Sequence, residues 1–453
     1  MLPDIQPFFA HIGDDPLTCA FEEEKKDLPP LNGARMNKAE PSWDGGKFED
    51  FAARAYIEGT GRPLALYVHV PFCHHHCKFC PFYKNRTSKT FSPEYAALLS
   101  REIADTAHVL REVIHRRSVR AIYFGGGTPS DLDTQDMVRL IRQLRDTFPV
   151  DADAEMTVEG RVRGFTADKG KAWAEAGANR FSLGVQTTDT KLRRSLGRIS
   201  ARDEIRENLN GLCESGAAVV ADLIYGFPGQ TKEMLAEDIR FLSEETGIHG
   251  LDLYKLGVFP DSPLDKAIRA GKLPPLPNFP ELARMFGTAY EALLAYGYEH
   301  FSPKHWRRSP LERSVYNRLA FGQTDMLPFG SGAGGRLGAI SLGNIGELKN
   351  YTEKVSRGEK PLARIAPVPL RDAQEGFETA LSAAMEALKL PKLDEWPRSH
   401  RQQGEKLLDQ WRRAGLLVEE KDGEEMRMTC AGNFWSPRLK KMLLDFAATP
   451  AAG

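Results

Sequence analysis

Apolar and polar positions along this chain follow two alternating periods, and the period switches repeatedly between Pro63 and Gly271. Short, largely apolar runs read as buried strands: LALYVHV, VRAIYFGG, AEMTVEG, ANRFSLGVQ, AVVADLIYG and GLDLYKLGV. The stretches between them place apolar residues three and four apart and read as helices: Pro93 to about Ile114, DTQDMVRLIRQLRDTF, ADKGKAWAEAG, ARDEIRENLNGLCESG and KEMLAEDIRFLSEE. Strands separated by helices predict a parallel sheet in an α/β fold, because a parallel crossover needs a connection of that length. Six such strands could form a partial barrel, part of a full eight-fold barrel, or an open doubly wound sheet. In each, ligands gather at the carboxyl ends of the strands, so motifs just after strands carry the most functional weight.

The pattern divides the chain into an N-terminal extension (1–62, rich in Pro, Gly and charge), a core (63–271), a core extension and substrate region (272–366) and a C-terminal part (367–453). KLPPLPNFP reads as the linker that ends the core; helix, strand and the Gly-rich loop LPFGSGAGGRLGAI follow it. The last part has two helical stretches, and GLLVEEKDGEEMRMTCAGN reads as helix, β-hairpin with a DG turn, and closing helix, a winged-helix-like pattern. Length 453, with 41% hydrophobic and 27% charged residues, is ample for a buried core. Sixty-one basic against 62 acidic residues leave a net charge of −1, which gives no bulk attraction to nucleic acid or an anionic membrane. The start has no basic and apolar signal pattern, and no run approaches the roughly 18 apolar residues of a membrane span. The expected location is cytoplasmic.

Cys73, Cys77 and Cys80 fall in YVHVPFCHHHCKFCPFYKNR, directly after the first strand, whereas Cys19, Cys213 and Cys430 are scattered and read as structural. Clustered thiols in a reducing compartment indicate metal rather than disulfides. A cubane iron–sulfur cluster is normally held by four thiolates, so three leave one iron open to chelate a small ligand and pass it an electron. The alternatives are a zinc set completed by His74, His75 or His76, or cysteines that merely pack. The three histidines otherwise read as solvated loop residues.

CxxxCxxC after the first strand of a (β/α)6 run resembles the hallmark of the radical S-adenosylmethionine (SAM) superfamily, over roughly Pro63 to the C-terminal region. That resemblance implies a partial (β/α)6 barrel and a [4Fe-4S] cluster on the three cysteines. It also implies SAM bound at the open iron and cleaved reductively to a 5′-deoxyadenosyl radical. It places Phe79 near the adenine and Gly125, Gly126, Gly127 and Thr128 of YFGGGTP against the amino group. Tyr67, Glu159, Gln186, Arg198 and Asp222 together match the SAM-binding pattern of the coproporphyrinogen-dehydrogenase branch; carboxylates suit ammonium or ribose hydroxyls, and Arg or Gln suits oxygens.

Within that branch, oxygen-independent coproporphyrinogen III dehydrogenases typically carry a further cysteine two residues after the third ligand, where this chain has Phe82. Haem chaperones carry HNxxYW before a Gly-rich loop, where this chain has VYNRLAF, Val315 to Phe321. CHHHCKFCPFYKNR with the long extension looks most like the anaerobic haem-degrading radical SAM methyltransferases, the anaerobilin-forming group. The resemblance implies haem as substrate, opened without oxygen with methyl transfer from SAM and release of iron. It also implies a flavodoxin or ferredoxin as electron donor. Tyr316, Asn317, His300 and His305 are the candidate substrate residues by position, and Lys304, Arg307 and Arg308 could meet propionates.

Overall fold

The computed structural model describes Leu17 and residues 47–82, 84–88, 90–320, 324–367, 373–419 and 426–448. Six strand–helix units follow in order. They are β1 (Leu64–Val70) with α1 (Phe91–Leu110), β2 (Val119–Gly126) with α2 (Thr134–Thr147), and β3 (Val150–Arg161) with α3 (Ala167–Ala176). Then come β4 (Arg180–Gln186) with α4 (Arg202–Cys213), β5 (Ala218–Tyr225) with α5 (Lys232–Glu245), and β6 (Gly250–Lys255) with α6 (Phe279–Ala295). The six strands pair parallel in chain order. β4 is buried along its whole length, as expected of a central strand enclosed on both faces. The proline-rich linker ends in a helix cap: Asn278 Oδ1 accepts from the Glu281 amide at 2.9 Å, and Glu281 returns the bond to the Asn278 amide at 2.7 Å, starting α6.

The sheet goes further than the sequence pattern predicts. A seventh strand, β7 (Asp325–Phe329), pairs parallel with the outer edge of β1. The Gly-rich segment after it is not a loop. Gly334–Leu337 and Ile340–Asn344 form an antiparallel hairpin, which Leu362–Pro367 extends. Glycine hides the strand signal while making the pairing feasible, since a Cβ on Gly335 would lie 2.2 Å from the Met326 carbonyl oxygen. At the other edge His305–Arg307 pairs antiparallel with β6, and Glu299–His300 lies outside it. The twelve-stranded sheet thus runs from Leu362–Pro367 to Glu299–His300 without closing, a partial barrel.

Behind the β1 edge, the carboxylate of Glu102 on α1 is buried and accepts from the Gly330 amide, Asn344 Nδ2, the Tyr351 hydroxyl and Lys360 Nζ, all within 2.9 Å. Glu102 thereby ties helix, hairpin and the chain beyond it together. Of the N-terminal extension, helix Phe48–Glu58 buries Phe48, Phe51 and Tyr56 against the core; Cys19 lies outside the described residues.

C-terminally, helices Ala373–Glu386 and Arg401–Arg413 precede a hairpin of Leu417–Glu419 with Met426–Met428, whose DG turn lies outside the described residues. Helices Cys430–Phe434 and Ser436–Ala448 close the chain, and Trp435 stacks on Phe279 of α6 at 4.8 Å. Cys213 and Cys430 are half-buried, and burial pushes the Cys213 thiol up to about 12. Among the described residues no helix is long and apolar enough to cross a membrane.

Candidate active site

The cysteine loop leaves the carboxyl end of β1. A short pairing of Phe72–Cys73 with Asn85–Arg86 closes it at its base. Cys73 and Cys77 are buried, Cys80 is half-buried, and all three thiols are free. Anchors fix the loop from several sides. The Lys78 amide donates to Leu196 O at 3.0 Å, Arg161 Nη2 donates to His75 O at 2.7 Å, and the His74 amide donates to Asp131 Oδ2 at 3.1 Å. Burial raises the Cys73 and Cys80 thiols, and Arg161 opposes this in both. Among the described residues no three His, Cys, Asp or Glu side chains close on a single ion-sized point. A cubane instead takes one thiolate per iron, at separate corners, a demand that three free sulfurs on one anchored loop can meet.

The glycine run at the end of β2 lies directly against this loop. The Gly127 amide donates to Val70 O at 2.8 Å, and a Cβ on Gly127 would sit 2.4 Å from Phe72 O, so no larger residue fits. Thr128 Oγ1 donates to Cys73 Sγ at 3.3 Å. Gly126, at φ 113°, leaves its Cβ space to the His69 ring.

The strand ends facing this loop carry the other expected ligand groups. Glu159 accepts from the Tyr123 hydroxyl at 2.5 Å and the Gly126 amide at 3.2 Å; burial raises its pKa. Asp222 accepts from Ser182 Oγ at 3.2 Å, and burial, reinforced by Asp252 and Glu159, pushes it up to about 8. Crowded buried carboxylates of this kind are relieved by an ammonium or by hydroxyl donors. Arg198 donates to Gly184 O at 2.7 Å and lies 5.8 Å over the Phe79 ring, which meets Phe227 edge-on at 5.3 Å. Arg198 Nε and Gln186 Oε1 are buried without partners, and Gln186 holds a left-handed φ of 73°. Two orphaned polar atoms, one of them on the arginine that lies over the Phe79 ring, fit a polar nucleoside ligand such as SAM.

The structure adds residues that the sequence did not single out. His69, beside the loop on β1, hydrogen-bonds with the Tyr67 hydroxyl at 2.9 Å, and burial pushes it down to about 4, so its ring is neutral at pH 7. Arg161, Asp131 and Arg193 line a cleft of about 210 Å³ next to Cys77. Arg193 donates to the Val185, Thr187 and Ser200 carbonyls and so holds the chain that presents Arg198. The signal for His69 was its position four residues before Cys73; the others depended on the folding of distant strands.

Of the four candidate substrate residues, Asn317 and His305 share one cavity, whereas Tyr316 and His300 lie elsewhere. Tyr316 stacks on Tyr123 at 4.1 Å and on Tyr67 at 6.3 Å, inside the barrel. Asn317 bonds Ser314 at 3.1 Å and lines a second cavity with His305 and Lys304. His300 is packed instead: it stacks on Trp306 at 4.1 Å, lies 3.2 Å from Asn433 Nδ2, and burial pushes it down to about 3. Arg307 and Arg308 are directed away, because the antiparallel run of His305–Arg307 carries them to the amino end of β6. There Arg307 pairs with Glu299, and Arg308 donates to the Ser243, Thr246 and Ile248 carbonyls, which removes both as propionate partners at this site.

His305 stands between Asp252 at 2.8 Å and Glu312 at 3.2 Å; Glu312 also meets Arg180 at 3.0 Å. Burial lowers the His305 pKa, but the two carboxylates more than reverse this and bring it to about 9. With an unfolded value near 6.5, its stabilising contribution is complete below that pH and is lost as pH rises through about 9. Melting midpoints of the wild type should therefore fall between pH 6.5 and 9 relative to His305→Gln; parallel profiles would refute the charged pair.

Comparison with known proteins agrees with this geometry. The radical SAM superfamily profile matches residues 67–242. The chain is 34% identical over 447 residues to the anaerobilin synthase of Escherichia coli O157:H7, covering 97% of this chain and 95% of that one. It is 31% identical to the oxygen-independent coproporphyrinogen III oxidase of Escherichia coli K12, covering 70% of this chain and 71% of that one. To the heme chaperone HemW of Bacillus subtilis it is 27% identical, covering 64% of this chain and 76% of that one. The crystal structure of the Escherichia coli coproporphyrinogen III oxidase HemN, a radical SAM enzyme, matches with TM-score 0.71 and 25% identity, covering 88% of this chain and 93% of that one. This chain is a radical SAM enzyme that uses a [4Fe-4S] cluster and SAM, and it belongs to the superfamily group that contains anaerobilin synthase together with the coproporphyrinogen III oxidases and HemW.

Proposed function

We propose that this enzyme opens haem without oxygen, with transfer of a methyl group from SAM, and releases iron and a linear tetrapyrrole. The observation that carries the reading is end-to-end similarity: the likeness to anaerobilin synthase extends over 97% of the chain, including terminal regions that the chaperone and coproporphyrinogen oxidase alignments leave uncovered. Phe82, where the coproporphyrinogen dehydrogenases typically have a cysteine, supports the same choice.

In this reading Cys73, Cys77 and Cys80 hold the cluster, and Thr128 steadies the Cys73 sulfur through its hydroxyl. The cluster and SAM supply one-electron reduction and a carbon-centred oxidant when bound. Glu159, Asp222, Gln186 and Arg198 orient the amino acid and ribose groups, Phe79 stacks on the base, and Gly125 to Gly127 contribute backbone groups beside the cysteine loop. Tyr67, Tyr123 and Tyr316 form a stacked aromatic wall that excludes water from the barrel interior. A flavodoxin or ferredoxin delivers the electron.

Incubation under strict anaerobiosis with haem, SAM and a low-potential reductant tests this. The expected result is loss of the haem spectrum, release of iron, and a tetrapyrrole product heavier by a methyl group in the mass spectrum. Stable stoichiometric haem with no product would overturn the degradation reading in favour of a carrier, and conversion of coproporphyrinogen instead would favour decarboxylation.

A further inference from the structure

We propose that the second cavity, about 340 Å³ between the carboxyl end of β6 and the C-terminal helices, binds the carboxylate arms of a tetrapyrrole through Lys255 and Lys304. This rests on the tetrapyrrole reading above and adds where the substrate's anionic edge is held.

Three lysines from separate elements face this cavity: Lys255 at the end of β6, Lys304 in the turn before His305–Arg307, and Lys440 from the last helix. Lys255 Nζ rests 4.7 Å over the Phe279 ring and 5.8 Å over Phe434, and Lys304 Nζ rests 5.4 Å over Tyr254. Neither ammonium forms a hydrogen bond or ion pair with a carboxylate among the described residues, whereas Lys440 donates to Ser382 Oγ at 2.9 Å. Burial lowers the pKa of all three lysines. Nearby acids offset part of that cost at Lys304 (Asp252 and Glu386) but not at Lys255, and a ligand carboxylate relieves what remains while gaining charge-assisted hydrogen bonds.

The acidic groups of the cavity do not cancel this preference. Asp252 is already engaged by His305 at 2.8 Å, and Glu386, whose pKa burial raises against the opposing pull of Ser302 and Lys304, forms no ion pair with Lys255 or Lys304. The walls are aromatic and apolar, with Tyr225, Phe286, Phe434 and Met385, which matches a flat hydrophobic ring bearing acid arms rather than a free phosphate.

At about 340 Å³ the cavity accommodates the propionate edge, not a whole macrocycle. Tyr254 and Asn317 stand on its lining, and Tyr254 lies two residues beyond Asp252, the register partner of Asp222 on β5. Beyond Tyr254 the ring would therefore extend toward the strand ends where SAM is expected, with its acid arms anchored at the C-terminal helices.

The test is a Soret-monitored anaerobic titration of the full chain with haem and with haem dimethyl ester, in which both propionates are uncharged. The wild type should bind haem at least about tenfold more tightly than the ester, and the Lys255→Met/Lys304→Met variant should lose that preference while still binding the ester. Its melting midpoint should not fall, because two desolvated charges are removed. Equal wild-type affinity for haem and ester, or an intact preference in the variant, would overturn this subsite and leave haem as ligand. No binding of either compound by the wild type would overturn the haem reading and this inference together. If the double variant misfolds, Lys255→Met alone is read in the same titration, and an undiminished preference for haem over ester would overturn the subsite.

Discussion

Cys77→Ala should reduce formation of 5′-deoxyadenosine from SAM to background in the anaerobic, reduced enzyme, and lower the iron and sulfide content of the purified chain. Cys77 is the middle thiol of the loop and is buried, and the backbone beside it is held independently by the Lys78 amide and ammonium on Leu196 O and Ser195 O. Removing one sulfur therefore deletes a ligand without releasing the loop. Two remaining thiolates cannot complete a three-ligand corner arrangement. Quantifying 5′-deoxyadenosine after addition of dithionite and SAM reads the effect directly, and wild-type cleavage by the variant would refute the cluster assignment. Cys213→Ala, half-buried at the end of α4, should leave cleavage near the wild-type rate.

Glu102→Ala is expected to have the largest effect on stability, about 3–5 kcal/mol by denaturant unfolding, because it removes one partner of a buried ion pair. Lys360 would lose the carboxylate that its ammonium meets at 2.7 Å, and the Gly330 amide, Asn344 and Tyr351 would each lose an acceptor. Burial already lowers the Lys360 pKa, and without Glu102 the ammonium would keep the Pro328 carbonyl at 2.6 Å and the Phe329 ring at 4.3 Å, neither of them a counter-charge. These groups hold the β7 hairpin to α1, so partial loosening of that edge should accompany the loss. A shift below about 1 kcal/mol would show that the network contributes little beyond packing.

Glu102 also shows where sequence reading ends. A glutamate inside an amphipathic helix looks like a solvated face; it becomes a buried acceptor only because Gly330, Asn344, Tyr351 and Lys360, more than 220 residues later, are folded over it. The same holds for Arg307 and Arg308, which lie next to His305 in sequence but are carried by strand direction to the opposite end of the sheet. Adjacency in the chain did not translate into adjacency in the site.

Local periodicity and spacing were sufficient for the six strand–helix units, the parallel sheet and the cysteine loop after β1, because each is written in contiguous residues. The glycine run at the end of β2 was legible as a place of close approach, but which group approaches was not: Phe72 of the loop and the His69 ring take the space. Tertiary structure alone decided the seventh parallel strand beside β1, the groups that enclose Glu102, and the meeting of His300 with Asn433. It also decided which lysines share a cavity with the C-terminal helices. The physical reason is common to all of these: burial, charge pairing and cavity shape are set by contacts between segments far apart in the chain, whereas strand and helix periods are set by neighbours.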